Sequence, residues 1–273
     1  MSGLRISPMR WLDGLRARLR PERPLDIEEQ LVLAREAAAR GDFDTALAIW
    51  NPLAHAGVAR AQNNIGACFS EGWGVERDAE LAARWFTLAA EAGDPPARRN
   101  LASLCFRGEG VAQDYARAAE LYRQAAEAGD GPSQDMLSWM LLEGEVMPTD
   151  AQAARRWAEA AAEQGVASSM TRLGMIHHNA LGVERDARLA AEWWAKGAEQ
   201  GDADGQAMLG AAFHLGAGVP KDQVAAFALL LRAREGGSPL AGTFFEAVRG
   251  ALNPVELAEA EARARRPLPE APP

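Results

Sequence analysis

Six glycines, Gly57, Gly93, Gly129, Gly165, Gly201 and Gly237, stand 36 residues apart along this chain. A fixed period of that length restricts the fold to architectures in which one small helical or strand unit is stacked on copies of itself. The segments leading into the glycines, "AAEAG" (89–93 and 125–129), "AAEQG" (161–165) and "GAEQG" (197–201), are helical runs. Glycine tolerates the left-handed backbone that follows a helix C-terminus, so each one closes a unit.

Two amphipathic helices are legible inside each unit. In the first, Ile65 with Phe69, Leu101 with Cys105, Leu137 with Leu141, Leu173 with His177 and Leu209 with Phe213 recur at i, i+4 and are expected to face the core. Gly66, Ala102, Ser138, Gly174 and Gly210 occupy one position beside them, where a larger side chain would hold two helix backbones apart. The second helix repeats Ala82, Ala118, Ala154, Ala190 and Ala226, each followed three residues later by Trp85, Leu121, Trp157, Trp193 or Leu229. Alternating small and bulky positions predict interlocked antiparallel helices.

Between the two helices the chain reads "FSEGWGVERD" (69–78), "CFRGEGVAQD" (105–114) and "FHLGAGVPKD" (213–222). Asp78, Asp114, Asp150, Asp186 and Asp222 precede the second helix, where a carboxylate accepts from free helix N–H groups. The paired glycines supply the reversal, and Val75, Val111, Val183 and Val219 are placed to seal its inner side. A phosphate-binding loop is excluded, because no strand precedes the glycines and no Gly-Lys-Ser/Thr follows.

"ARAQNNIGACFSEGWGVERD" (59–78) and "AARWFTLAAEAG" (82–93) resemble the Sel-one-like repeat (SLR), a branch of the tetratricopeptide-like helical repeats. Five units over residues 58–237 carry the pattern. The third departs from it with Val146 and Met147, and the fourth with Ala180 at the first connector glycine, so these two connectors are expected to differ in shape. The resemblance implies an all-α, right-handed α/α superhelical solenoid whose first helices line a concave face. Residues 25–57 and 238–266 read as atypical capping helix pairs, and 267–273 as a disordered tail.

Residues 1–24 form a separate basic amphipathic segment. Residues 1–25 hold six Arg against Asp13 and Glu22, a net charge of +4, leaving −13 for the rest of a chain of net charge −9. Ser7-Pro8 reads as a helix start and Pro21 as its stop, with Trp11, Leu12, Leu15 and Leu19 on one face. Such a helix suits an anionic membrane surface or an acidic partner, and the plainer readings are a helix folded back onto the first repeat of its own chain or a frayed end.

Counting along the first helices places Arg60, Asn63, Asn64, Arg99, Asn100, Phe106 and Arg107 on the concave face, followed by Met136, Trp139, Arg172, Met175, His178 and His214. Asn there suits peptide backbone, Arg suits carboxylate, and Trp139 with Met136 and Met175 suits an apolar anchor. Glu71, Asp135, Thr171, Asn179 and Met208 complete the face. His178 and His214 are one repeat apart, about 10 Å by helix packing distance, so a shared metal is not expected. His177 and the two cysteines, Cys68 and Cys105, are expected as buried core groups.

No nucleophile, base and orienting group converge in the sequence. Cysteine-rich members of the resembled family are associated with β-lactam binding or hydrolysis, but this chain lacks their paired cysteines. The expectation is a noncatalytic interaction scaffold or adaptor for a protein or peptide, without cofactor or metal, of open oligomeric state. The net charge disfavours nonspecific nucleic-acid binding. With no long apolar run and no secretory pattern, the expected setting is cytoplasmic, with peripheral membrane attachment open through residues 1–24.

Overall fold

A computed structural model describes residues 25–268, and the expected basic helix within residues 1–24 lies outside them, as does most of the expected tail. The described residues hold fourteen helices and no strand. A leading pair, α1 (Ile27–Ala39) and α2 (Phe43–His55), precedes five repeats: α3 (Ala59–Glu71) with α4 (Ala79–Glu91), α5 (Pro95–Arg107) with α6 (Tyr115–Glu127), and α7 (Gly131–Glu143) with α8 (Ala151–Glu163), then α9 (Ala167–His178) with α10 (Ala187–Glu199), and α11 (Ala203–Leu215) with α12 (Gln223–Glu235). The chain ends in α13 (Ala241–Gly250) and α14 (Pro254–Ala264).

The start and stop signals act as the sequence implies. Each connector aspartate accepts from a backbone N–H three residues on: Asp78 from Leu81, Asp114 from Arg117, Asp150 from Ala153, Asp186 from Leu189 and Asp222 from Ala225. The six periodic glycines all have φ between 80° and 90°. Unanticipated from the sequence, Asp94, Asp130 and Asp202 cap the first helices of three repeats in the same way.

The small and bulky positions interlock one residue away from the expected register. Ala82, Ala118, Ala154, Ala190 and Ala226 are fully buried, but Trp85, Leu121, Trp157, Trp193 and Leu229 are only half-buried. The core side chains are the next ones along: Phe86, Tyr122, Ala158, Trp194 and Leu230. They sit against the small residue of the first helix. A Cβ on Gly66 would lie 2.7 Å from the Phe86 ring, and one on Gly174 would lie 2.3 Å from Trp194. In the first helices, the leading member of every i, i+4 pair is buried, whereas only Cys105 among the second members is; Phe69, Leu141, His177 and Phe213 remain partly exposed.

Successive repeats are joined at the connectors by backbone contact. A Cβ on Gly110 would stand 2.1 Å from the Ala79 carbonyl oxygen, and one on Gly218 would stand 2.0 Å from that of Ala187. The second glycine therefore lets each connector rest on the N-terminus of the preceding second helix. Val146 takes that place in the third unit without a positive φ, so this connector differs, as expected. The fourth does not: Ala180 adopts φ 57°, the conformation of the glycines it replaces.

Each helix from α2 to α13 packs on the one before it in the chain, α14 packs on α12, and the first helices also touch across repeats: α3 with α5, α7 with α9, α9 with α11, and α11 with α13. The second helices of adjacent repeats meet only marginally, until α14 covers α12 at the end of the stack. Crowding on one side and splay on the other bend the stack so that the first helices line its inner curve.

Candidate functional site on the inner face of the repeats

The polar residues of the inner face divide into those that join repeats and those left for a partner. One residue, at the same position of each of the first four repeats, reaches forward into the next. Asn63 Oδ1 accepts from Asn100 Nδ2 at 2.9 Å, and Arg99 Nη1 lies 2.6 Å from Asp130 Oδ1. Asp135 accepts from Ser168 Oγ at 2.9 Å, Ser169 Oγ at 2.5 Å and Arg172 Nη2 at 3.2 Å. Thr171 Oγ1 donates to Asp202 Oδ2 at 2.6 Å. Asn63, Arg99, Asn100 and Arg172, expected as partner contacts, are thus occupied as staples between repeats.

A second set of staples escaped sequence reading. Gln62 Nε2 donates to the Ala54 carbonyl, Gln134 to Ala126 and Gln206 to Ala198, at 3.1, 3.1 and 3.3 Å. Each glutamine spans eight residues back to the last turn of the preceding second helix, whose carbonyls have no helical partner. The periodic recurrence of Gln at this position was the available signal.

The expected apolar anchor is also partly consumed. Met136 and Trp139 pack against the cluster of Ala102, Tyr122 and Met140, and the Phe106 ring lies edge-on to Trp139 at 6.1 Å and to Tyr115 at 5.1 Å. Met175 is half-buried. His214 Nδ1 pairs with Gln223 Oε1 at 2.8 Å, while the His178 ring lies 5.3 Å from Trp194 with its buried Nδ1 unpartnered. His177, expected as a buried core group, is half-buried, and its imidazole makes no hydrogen bond among the described residues, while its carbonyl accepts from the Asp186 N–H at 3.1 Å. Among the described residues no three metal-binding side chains cluster.

Two clefts remain open on the inner face of the N-terminal half. The first, about 280 Å³, has Leu31, Val32 and Trp50 in its lining, with Arg35, Arg60, Asn63 and Asn64 and the carboxylates of Glu28 and Asp94 around them. The Arg60 and Asn64 side chains make no hydrogen bond or ion pair among the described residues. The second, about 290 Å³, lies between α3 and α5 with Phe86 and Leu104 among its lining, and Trp73, Asn100, Ser103 and Arg107 beside them. Trp73 is 47% exposed and stacks on Phe43 at 5.6 Å. Arg107 is drawn to Ser103 and to Glu109 at 3.1 Å. Trp50, Trp73 and the α1 side chains were missed because counting along the inner helices alone omits the leading pair and the connectors.

A larger opening of about 580 Å³ lies on the outer side, between the splayed α4 and α6, lined by Glu80, Arg84, Thr87, Leu88, Gly110 and Arg117. Its width follows from the bend of the stack, and Arg84 with Glu80 forms a loose pair there at 3.9 Å, with each side chain 76% exposed. The inner clefts have aromatic walls, and the first adds the unpaired polar groups of Arg60 and Asn64, which the outer opening does not match. The cysteines offer no reactive site: burial pushes the Cys68 thiol up to about 11, and burial, against an opposing influence of Arg117, also raises Cys105. Tyr122 is raised by burial, opposed by its hydrogen bond with Ser103.

An all-α solenoid of helix pairs with a polar, aromatic-walled inner face defines a helical repeat protein. The repeats themselves match the Sel1 repeat family model at residues 59–94, 95–130, 131–166, 167–202 and 203–238, and the chain belongs to that family. Sel1 repeat proteins are generally protein-interaction scaffolds and typically not enzymes. The chain is similar to the Sel1 repeat protein from Oxalobacter formigenes, with 26% identity and a TM-score of 0.76 over 89% of this chain and 99% of that one. It is also similar to c5321, a protective antigen of uropathogenic Escherichia coli displaying an SLR fold, with 28% identity and a TM-score of 0.71 over 95% of this chain and 56% of the antigen. No curated protein matches it in sequence. No helix among the described residues is long and apolar enough to cross a membrane.

Proposed function

We propose that this protein is a noncatalytic adaptor that binds an extended, acidic peptide segment of a partner along the inner face of its N-terminal half. The observation that carries this reading is the pair Arg60 and Asn64, unpartnered beside the apolar lining of Leu31 and Trp50 in a cleft. An Asn amide donates to and accepts from an extended peptide backbone, and a free guanidinium grips a carboxylate with two parallel hydrogen bonds. Trp73 in the neighbouring cleft supplies a flat apolar wall for one large side chain of the same segment.

Selection of peptides from a random display library against the intact protein tests the reading. Selected peptides are expected to be enriched in Asp and Glu, and to lose at least about tenfold in affinity for Arg60→Ala/Asn64→Ala, the effect of one charged hydrogen bond worth about 1.5–3 kcal/mol. An Arg84→Ala/Arg117→Ala variant is expected to bind them unchanged. Loss of affinity in that outer-face variant, with the inner-face variant unaffected, would overturn the assignment.

A further inference from the structure

The two ends of the stack are finished differently. At the C-terminal end α14 lies over α12, and Arg232 donates to the carbonyls of Ala264, Arg263 and Arg266 at 3.0, 3.0 and 2.6 Å. Phe227, Leu230, Phe245, Val248 and Ala260 close a core there. At the N-terminal end no described helix precedes α1. Inside the stack, by contrast, each first helix is covered by the second helix before it: Ala89 and Ala90 of α4 share one cluster with Ala97, Leu101 and Leu104 of α5.

Among the described residues, this end of the stack is apolar where a terminal repeat should be polar. Leu25, Ile27, Val32 and Leu33 are 44, 48, 41 and 43% exposed. Four of the ten exposed large apolar side chains among the described residues therefore fall within nine residues at one end of the solenoid. Val32 and Leu33 lie on the side of α1 turned away from its buried Leu31, Ala34 and Ala37, and exposed Glu28 and Glu36 flank them.

We propose that residues 8–20 of this same chain pack on that face of α1, supplying the missing second helix of a preceding half-repeat. Length, connection and charge all point to this occupant. Residues 8–20, from Pro8 up to the stop at Pro21, number thirteen, the length of most helices in the stack. The linker from Pro21 to Asp26 has six residues, between the three-residue turns that join one repeat to the next and the seven-residue connector at 72–78. Helical spacing puts Trp11, Leu12, Leu15 and Leu19 on one stripe to meet Val32 and Leu33, with Arg16 and Arg18 at its margins to meet Glu28 and Glu36. Apolar surface with a basic rim thus meets apolar surface with an acidic rim. This contact does not rest on the peptide reading, but the two share Glu28 and Val32, so the segment would border the first cleft.

Hydrogen–deuterium exchange on the unaltered full chain tests the contact, with a Val32→Asp/Leu33→Asp variant beside it. Amides of residues 8–20 are expected to exchange at least about tenfold more slowly in the unaltered chain than in the variant. A full-length Leu15→Cys/Val32→Cys chain is expected to oxidise to a cross-linked monomer, and a Leu15→Cys/Val255→Cys control is not. Exchange of residues 8–20 at the rate of an unstructured peptide in the unaltered chain would overturn the proposal. So would cross-linking solely between copies, which assigns the face to a second molecule. Protection that appears only on adding phosphatidylserine-containing vesicles would overturn it in favour of a membrane surface.

Discussion

Replacing Gly110 by alanine separates two costs that a connector glycine carries. The first is the left-handed backbone, φ 66° here, which costs an L-residue about 1–2 kcal/mol. Gly129, with φ 90° and nothing within 4 Å of a Cβ, carries that cost alone. At Gly110 the new methyl would also stand 2.1 Å from the Ala79 carbonyl oxygen, 2.2 Å from its carbon and 2.7 Å from the Glu80 nitrogen. Those are backbone atoms at the start of α4, which cannot swing aside by a rotamer change, so the repeats must part there. Overpacking of this kind costs about 1–3 kcal/mol. Gly110→Ala is therefore expected to be about 2 kcal/mol less stable than Gly129→Ala, which for a chain of this size is about 4–8 °C in Tm. Urea unfolding followed by far-UV circular dichroism measures the difference. Because stability in stacked repeats is a sum of unit and interface contributions, weakening one interface is also expected to lower the apparent m-value or split the transition. Equal stabilities for the two variants would refute connector-on-helix contact as a source of coupling between repeats.

Three further outcomes follow from particular contacts. Asp135→Ala removes the acceptor for Ser168, Ser169 and Arg172, leaving a mostly buried guanidinium unpaired, and is expected to cost about 2–4 kcal/mol in urea unfolding. Gly174→Ala is expected to cost about 1–3 kcal/mol because its methyl meets Trp194 at 2.3 Å, and much less in a Trp194→Leu background; a double-mutant cycle with no coupling would disprove that contact. Because burial holds the Cys68 thiol at about 11 while an unfolded thiol ionises near 9.0, the unfolded chain holds fewer protons between those values. Stability is then fully present below pH 9 and falls as pH rises, with Cys68 contributing up to about 1.4 kcal/mol per unit, and the slope is expected to be shallower in Cys68→Ala.

The fold was legible because its signals are local and repeated. The connector aspartates and the periodic glycines act through their own backbone, so spacing alone reveals them. Packing register was harder. Positions 85 and 86 are both bulky, and only the direction in which the second helix leaves Asp78 decides that Phe86 enters the core while Trp85 stays at its edge. Ala180 misled for a related reason: a local preference for glycine is overridden where the surrounding connector fixes the conformation. At the candidate site, helix counting found the inner face but not which of its residues were already engaged. Asn63, Arg99, Asp135 and Thr171 look like a solvated polar row until the next repeat, some 31–37 residues later, brings up their partners.

That distinction bears on how a scaffold of this kind divides its surface. A staple residue contributes to stiffness only while its partner is the adjacent repeat, and a ligand that recruited Arg99 or Arg172 would have to break a charged hydrogen bond to Asp130 or Asp135 first. Such an exchange gives little net affinity, because one ion pair replaces another of similar strength. Binding free energy is available instead where a polar group has no internal competitor, as at Arg60 and Asn64, or where an aromatic face is exposed, as at Trp73. Both lie in the first repeat, whereas the four staple links run from the first repeat to the fifth. The staples hold the inner helices close and so set the curvature. Under the proposed peptide reading, the span between the cleft at Arg60 and the cleft at Trp73 sets the length of segment that reaches both, and partner segments are expected to be selected by length as well as by charge.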